Sequence, residues 1–190
     1  MTLTYKTIGA AVCGAAVLMA AATLRAQTSE AFTATAAVKA ASGAAATAPV
    51  TVSVDRKMSQ AEADKLAAAF KAGGAAALRK ALAGVPPTGT VRVGTQPAVP
   101  TRITIERTIP EGRLLTIVAD QPVLFVGASV PGAKSQAGYD FAVIDLQVDA
   151  KGGGSGNLAP AAKIKMNGNA FVVEDYGIEA VRLTGVKKTK

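Results

Sequence analysis

From Thr90 onward, apolar residues recur at every second position, and this alternation constrains the fold more than any other feature of the sequence. A period of two is typical of strands that bury one face. The segments with this pattern are 91–93, 102–109, 114–119, 122–126, 141–148, 162–167, 171–174 and 178–186. About seven or eight strands with short connections predict a mostly antiparallel β-sandwich or a small β-barrel.

The alternation also predicts which side chains point into the core. The segment 114–119 is apolar on both faces, which indicates a central strand. Asn167-Gly168 predicts a type I′ hairpin turn, because both residue types tolerate the positive φ that this turn needs. The predicted inward residues of the two longest alternating segments are Ala142, Ile144, Leu146 and Val148, then Ala162, Ile164 and Met166.

A helical region precedes the alternating segments. Ser59 followed by Glu62 forms a capping box, which is typical of a helix start. Gly73 and Gly74 predict the end of this helix, and a second helix is predicted over 75–83. The fold class is therefore α+β, with an N-terminal helical hairpin packed on the sheet; a short strand, Val50–Val54, precedes the hairpin.

The first 26 residues resemble a secretory signal peptide. Lys6 supplies the basic start, Ile8–Ala22 is the apolar stretch, and Ala26 is the best cleavage position. The alternative is a retained membrane anchor, but the apolar run is shorter than a span needs. The mature form is therefore predicted to be periplasmic or secreted and not membrane-spanning. Residues 27–48 are rich in Ala, Thr and Ser and predict a flexible tether, which leaves 49–190 as one α+β domain.

The residue types that are missing exclude several kinds of site. Cys13 is the only cysteine and lies in the predicted leader, and the chain has no histidine or tryptophan. Without these residues the mature chain can form no disulfide, no Ser-His or Cys-His catalytic pair and no histidine metal site. No metal and no cofactor is predicted.

The charge balance bears on the predicted partner. The net charge is +8, and loss of Lys6 and Arg25 with the leader leaves 19 basic and 13 acidic residues, or +6. Such a protein is suited to contact an anionic envelope component, and a merely solvated basic surface is the alternative. Nucleic acid is not a predicted partner, since aromatic residues make up only 4% of the chain and no basic stripe contains them.

Much of the chain after Gly74 resembles a family of exported, β-rich bacterial proteins of unknown function. The resemblance is carried by an Ala- and Leu-rich helix ending at Pro87 and Gly89, Arg113-Leu114-Leu115-Thr116-Ile117, Asp120-Gln121-Pro122, Tyr139-Asp140-Phe141, the glycines 152, 154 and 156, Ala161-Ala162-Lys163-Ile164 and Val181-Arg182-Leu183-Thr184. It implies a shared β-rich fold and no activity. Gln121 stands where the family has Arg.

The candidate binding residues are four arginines and a tyrosine. Arg102, Arg107, Arg113 and Arg182 lie on predicted strands or at their ends, and neighbouring strands could gather them into an anion-binding patch. Surface pairing with glutamates such as Glu106, Glu111 and Glu179 is the alternative. Tyr139, like Tyr176, stands beside a strand end, where it could stack on a sugar or peptide or close the rim of the core.

Three further patterns are weak candidates for catalytic or ligand sites. Residues 127–135 nearly match a phosphate-binding loop, but Ala133 separates the second glycine from Lys134 and a strand follows. Ser155 lacks one glycine of a nucleophile elbow, and a Ser-Lys pair with Lys151 or Lys163 stays open. Paired carboxylates could do acid–base work, and the candidates are Asp140, Asp145, Asp149, Glu174 and Asp175.

We therefore expect an exported, non-enzymatic envelope or secreted module that binds or supports a structure through its β surface. A carrier of a small apolar ligand between sheet and helices is the first alternative. A carboxylate-based hydrolase is the second.

Overall fold

The computed structural model describes residues 29–39, 45–123, 138–168, 170–175 and 180–190. Within these residues the chain forms nine strands and one helix. Their bounds are β1 Glu30–Lys39, β2 Ala45–Val54, α1 Gln60–Leu82, β3 Gly89–Val93, β4 Val99–Ile109, β5 Gly112–Ala119, β6 Phe141–Val148, β7 Gly153–Asn167, β8 Ala170–Asp175 and β9 Val181–Lys188.

The strands form a closed antiparallel barrel. Their order is β6-β5-β4-β3-β2-β1-β9-β7-β8, and β7 also pairs with β6, which closes a ring of eight strands. The ninth strand, β8, pairs with the far end of β7 and lies outside the ring. The mostly β architecture is confirmed, and of the two predicted forms the chain adopts the barrel.

Alternate residues of the eight strands fill the barrel. Phe32 of β1, Val52 of β2, Ile117 of β5 and Leu183 of β9 belong to this interior cluster, and every fully buried member is at most 7% exposed. Eight strands enclose a space that side chains can fill. The predicted inward residues of β6 are confirmed; they are Ala142, Ile144, Leu146 and Val148.

A second apolar cluster lies between the outside of the barrel and the helix. Leu66, Leu78 and Leu82 of α1 pack against strand residues that include Ile103 and Phe141. The predicted inward residues of β7 belong here, since Ala162 and Ile164 are buried and Met166 packs against the cluster. Strand β5 is therefore buried on both faces from Leu115 to Ala119, as its sequence predicts. Strand β6 also contributes residues to both clusters.

The helical hairpin predicted from the sequence is not supported, and a single helix is found. The capping box is present, because Ser59 Oγ accepts from the Glu62 amide and Glu62 Oε2 accepts from the Ser59 amide. The glycine pair does interrupt the helical backbone, at Gly73 and at Gly74 (φ +64), but helix continues on both sides as one kinked element. Both halves pack on the same apolar cluster.

The flexible tether predicted over 27–48 is wrong for residues 30–39 and 45–48. These residues lie in β1 and β2, which pair with each other over their whole length. Strand β1 also pairs with β9 and so joins β2 to β9 within the ring. Phe32 and Ala36 point inward while Thr33 and Thr35 point outward. The segment can be a strand despite its small side chains, because the interior of a small barrel is often filled by small and large side chains in alternation.

The hairpin between β7 and β8 exists, but Asn167 belongs to a strand and not to the predicted two-residue turn. Asn167 is the last residue of β7 and pairs with Ala170 of β8. Gly168 has φ +62, whereas Asn167 does not have a positive φ. Strand β7 begins within the glycine-rich segment, at Gly153. At Gly154 a β-carbon would overlap the backbone carbonyl of Gln147 in β6, so the close approach of the two strands requires glycine there.

Several predictions lie outside the described residues. They are the leader over 1–26, the strand residues 124–126, the phosphate-loop resemblance over 127–135, and Tyr176 and Glu179. Among the described helices, none has the length and hydropathy needed to cross a bilayer.

Candidate functional site

Five charged side chains gather at one end of the barrel, which we call the charged end: Glu30, Lys57, Glu106, Arg113 and Lys188. They come from β1, the β2–α1 loop, β4, β5 and β9. Strand pairing directs four of them toward the interior, because each is the cross-strand partner of an interior residue: Glu30, Glu106, Arg113 and Lys188. The charged end therefore covers one opening of the apolar interior.

Glu30 is the centre of this cluster, and its side chain is only 8% exposed. Arg113 binds it with two hydrogen bonds of 2.9 Å, one to each carboxylate oxygen. Lys188 Nζ donates to Oε1 at 2.8 Å, and Lys57 Nζ lies 3.5 Å from Oε2. The Arg113 guanidinium also lies 5.8 Å from the centre of the Phe32 ring, a cation–π contact.

Glu106 extends the network. Its Oε2 accepts from Arg113 Nη1 at 2.9 Å and lies 2.6 Å from Lys57 Nζ. Burial alone would raise the pKa of Glu30, but the hydrogen bonds from Arg113 and Lys188 and the nearby cations lower it to about 2. The pKa of Glu106 is lowered in the same way, by Lys57 and Arg113 against the effect of burial.

These pKa shifts decide what the charged end can do. Both carboxylates are ionised near neutral pH and are occupied by cations, so neither is suited to donate a proton as a general acid. The arrangement instead holds β1, β5, β9 and the β2–α1 loop together. Three buried threonine hydroxyls are hydrogen-bonded to one another. Thr104 Oγ1 donates to Thr88 Oγ1 at 2.9 Å, and Thr88 Oγ1 lies 3.1 Å from Thr101 Oγ1.

The four arginines predicted to form a patch are not brought together. Arg113 belongs to the charged end, and its partner Glu106 was one of the predicted pairing residues. Arg102 pairs with Asp120 at 3.1 Å and donates to the Val85 carbonyl at 2.8 Å. Arg107 is exposed on β4, on the opposite face of the β4–β5 ladder from Arg113. Arg182 is exposed on β9, several strands away.

Tyr139 and the predicted carboxylates have separate partners. The Tyr139 hydroxyl donates to Asp175 Oδ2 at 2.6 Å, which raises the pKa of the phenol. Lys163 Nζ lies 4.7 Å from the centre of the Tyr139 ring. Asp145 accepts from Thr116 Oγ1 at 2.7 Å, and the remaining aspartates pair elsewhere: Asp140 with Arg79, and Asp149 with the amides of Lys151 and Gly153.

Ser155 and Lys163, one of its two candidate lysines, are far apart. Ser155 lies opposite Gln147 in the ladder, and Lys163 is eight residues further along the same strand, about 26 Å away. Within the described residues, no three acidic side chains are placed to hold a metal ion.

The outer surface of the barrel opposite the helix is the second candidate site. We call the polar outward residues of β3, β2, β1 and β9 the hydroxyl face; they are Thr90, Arg92, Thr47, Thr51, Ser53, Thr33, Thr35, Arg182, Thr184 and Lys187. Cross-strand pairing arranges them in rows. One row runs from Arg92 through Thr51 and Thr33 to Lys187 and spans about 14 Å, or three strand spacings.

The three cations of the hydroxyl face are exposed: Arg92, Arg182 and Lys187. None of them has a carboxylate partner in the described part of the chain. No outward position described on these four strands carries an acidic side chain; Asp55 lies just beyond the end of β2. The face therefore presents isolated positive charges separated by hydroxyl groups.

The side chains of the barrel interior and of the layer under the helix are buried. The fully buried residues of the two apolar clusters are at most 7% exposed, and many are at 0%. Within the described residues, the side chains of both clusters are therefore shielded from solvent.

Sequence reasoning missed both surfaces for identifiable reasons. Glu30 and Phe32 are two residues apart, so in a strand they point to the same side. This alternation, in the segment interpreted as a tether, was the available signal that Glu30 faces the interior. Arg92 alternates with Val91 and Val93, which marks it as outward, but only the pairing of β3, β2, β1 and β9 shows that it shares a face with Lys187.

Comparison with known protein families, with curated proteins and with solved structures found no match.

Proposed function

We propose that this protein is an exported, non-enzymatic binding module that contacts an anionic envelope or extracellular component through its hydroxyl face. The observation that carries the proposal is the placement of Arg92 on β3 and of Arg182 and Lys187 on β9, with no acidic side chain at the described outward positions of these strands or of β1 and β2 between them. A surface that carries charges of one sign attracts a partner of the other sign.

Two further observations support a binding role over a catalytic one. The paired carboxylates of the protein, Glu30 and Glu106, are held ionised by cations. The chain has no histidine and no cysteine after the predicted leader. Export is supported by Lys6, the apolar stretch Ile8–Ala22 and the cleavage position at Ala26.

The test compares two variants of equal net charge. The triple variant Arg92→Gln/Arg182→Gln/Lys187→Gln removes three cations from the hydroxyl face. The control, Arg107→Gln/Lys65→Gln/Lys165→Gln, removes three exposed cations that lie elsewhere.

Retention is measured on a carboxylated matrix and on the same matrix without charge. Because both variants lose three charges, a general effect of net charge lowers their retention equally. We expect the first variant to elute at clearly lower salt than the control. Equal elution of the two variants would contradict the proposal.

A further inference from the structure

The spacing of the charges on the hydroxyl face indicates which anionic partner fits it. Arg92 and Lys187 end the same row, about 14 Å apart. Arg182 and Lys187 pair with Ala37 and Thr33, which are four residues and about 13 Å apart along β1. The three cations therefore stand singly, at separations well above the distance between neighbouring charges in a dense polyanion.

Hydroxyl groups fill the space between these charges. Thr51 and Thr33 lie between Arg92 and Lys187 in their row, and Thr35 lies opposite Thr184 in the next row. Thr33, Thr35 and Thr184 are exposed. Hydroxyls both donate and accept hydrogen bonds, so they suit a ligand that is itself rich in hydroxyl groups.

Other anionic partners fit less well. Duplex DNA carries a charge for about every 1.7 Å of its axis, and a polymer with phosphate in its backbone carries one on every repeat. Single-stranded nucleic acids need aromatic stacking platforms, and the hydroxyl face has no aromatic residue among its described outward positions. A membrane surface favours large apolar side chains that insert and about four to eight clustered cations. A second copy of this face would oppose like charges.

We infer that the hydroxyl face binds an extended acidic polysaccharide in which carboxylate-bearing sugars are separated by neutral sugars. This inference rests on the proposed function and names its ligand class. Arg92 and Arg182 bind carboxylates, since the guanidinium presents paired N–H donors that match two carboxylate oxygens. Lys187 binds a further carboxylate, and the threonine rows bind the sugars between them.

Four probes test the inference with the intact protein. They are hyaluronan, which carries a carboxylate on alternate sugars; polygalacturonate, which carries one on every sugar; neutral dextran; and vesicles of equal parts phosphatidylglycerol and phosphatidylcholine. We expect hyaluronan to bind, with an affinity that falls as salt is raised, and dextran not to bind. Polygalacturonate is expected to bind no more tightly than hyaluronan at equal sugar concentration, despite its higher charge.

Two variants locate the binding. Arg92→Gln/Lys187→Gln is expected to weaken hyaluronan binding by about tenfold, whereas the control Arg107→Gln/Lys165→Gln changes it less than about twofold. Thr33→Val/Thr51→Val keeps the volume and strand preference of the row and removes only its hydroxyls. We expect this variant also to weaken binding, and its thermal unfolding to match that of the unmodified protein.

The possible results test the polysaccharide ligand and the proposed binding function separately. Binding to the vesicles without binding to hyaluronan, or tighter binding to polygalacturonate than to hyaluronan, would overturn the polysaccharide assignment and leave the binding module standing. If the two charge variants bind hyaluronan with equal affinity, the assignment of binding to the hydroxyl face is wrong. No binding to any anionic probe would overturn both.

Discussion

Both terminal nitrogens of the Arg113 guanidinium donate hydrogen bonds to Glu30, one to each carboxylate oxygen at 2.9 Å, although 83 positions separate the two residues in the chain. The pair joins β5 to β1 across the end of the barrel. Because Glu30 is nearly buried, its negative charge has to be stabilised by this contact and by the neighbouring lysines.

The first prediction concerns acid unfolding. The pKa of Glu30 falls from 4.5 to about 2 on folding, so its contribution to stability is complete above about pH 4.5 and is lost as the pH falls toward 2. The expected loss from this group is on the order of 3 kcal/mol. Urea unfolding at pH 5 and pH 2.5 measures it.

The matched variants for this prediction are Glu30→Gln and Glu111→Gln. Glu30→Gln removes the titrating group and is expected to flatten the pH dependence in this window, with the remaining slope due in part to Glu106. Glu111 is exposed in the β4–β5 turn. Glu111→Gln should therefore keep the slope of the unmodified protein. An unchanged slope in Glu30→Gln would show that the carboxylate is not held by the cations around it.

The second prediction concerns Arg113 itself. Arg113→Met keeps an unbranched apolar stem but leaves Glu30 with only Lys188 and Lys57. Removing one partner of a nearly buried ion pair is expected to cost about 3 kcal/mol at neutral pH. Arg107→Met, at an exposed position on β4, should change stability by less than about 0.5 kcal/mol. Equal effects in urea melts at pH 7 would contradict the assigned role of Arg113.

Parts of β3 to β9 could be predicted from sequence because alternation between apolar and polar residues is a local property; the strand predicted over 122–126 is wrong at Pro122 and Val123, and the first nine residues of β7 were not predicted. The capping box at Ser59 and Glu62 is local too. Strand β1 escaped prediction because its inward positions include alanines, whose small area gives a weak hydrophobic signal; only closure of the ring makes Ala36 fully buried. The charged end could not be predicted, because its members come together through ring closure rather than through sequence spacing.

The third prediction concerns the N-terminal strands. A chain starting at Pro49 lacks β1 and the first half of β2, so the ring loses the strand that joins β2 to β9. It also loses Phe32 and Glu30. We expect this chain to fail to form a cooperatively unfolding barrel, whereas a chain starting at Gln27 unfolds like the intact domain. Thermal melts followed by near-ultraviolet circular dichroism compare them. Matching midpoints would mean that β1 contributes nothing to the fold.

The fourth prediction concerns processing. If the first 26 residues are a cleaved leader, the exported protein begins at Gln27 and the barrel's first strand starts three residues later, at Glu30. Mass spectrometry of the protein secreted by the expressing cell is expected to give this N-terminus. Recovery from the membrane fraction of a chain beginning at Met1 or Thr2 would instead show a retained anchor.

The fifth prediction concerns the turn between β7 and β8. Gly168 has φ +62, where a β-branched residue is strained, so Gly168→Val is expected to destabilise the domain by about 1–3 kcal/mol. Asn167 lies within β7 opposite Ala170 and is exposed. Asn167→Val should therefore cost less than about 0.5 kcal/mol, as should Lys165→Thr on the exposed side of β7. A type I′ turn centred on Asn167 and Gly168 would instead place residue 167 at positive φ and make Asn167→Val as costly as Gly168→Val. Urea melts of the three variants thus locate the turn: equal losses at 167 and 168 would place Asn167 in the turn and shift the β7–β8 register with it.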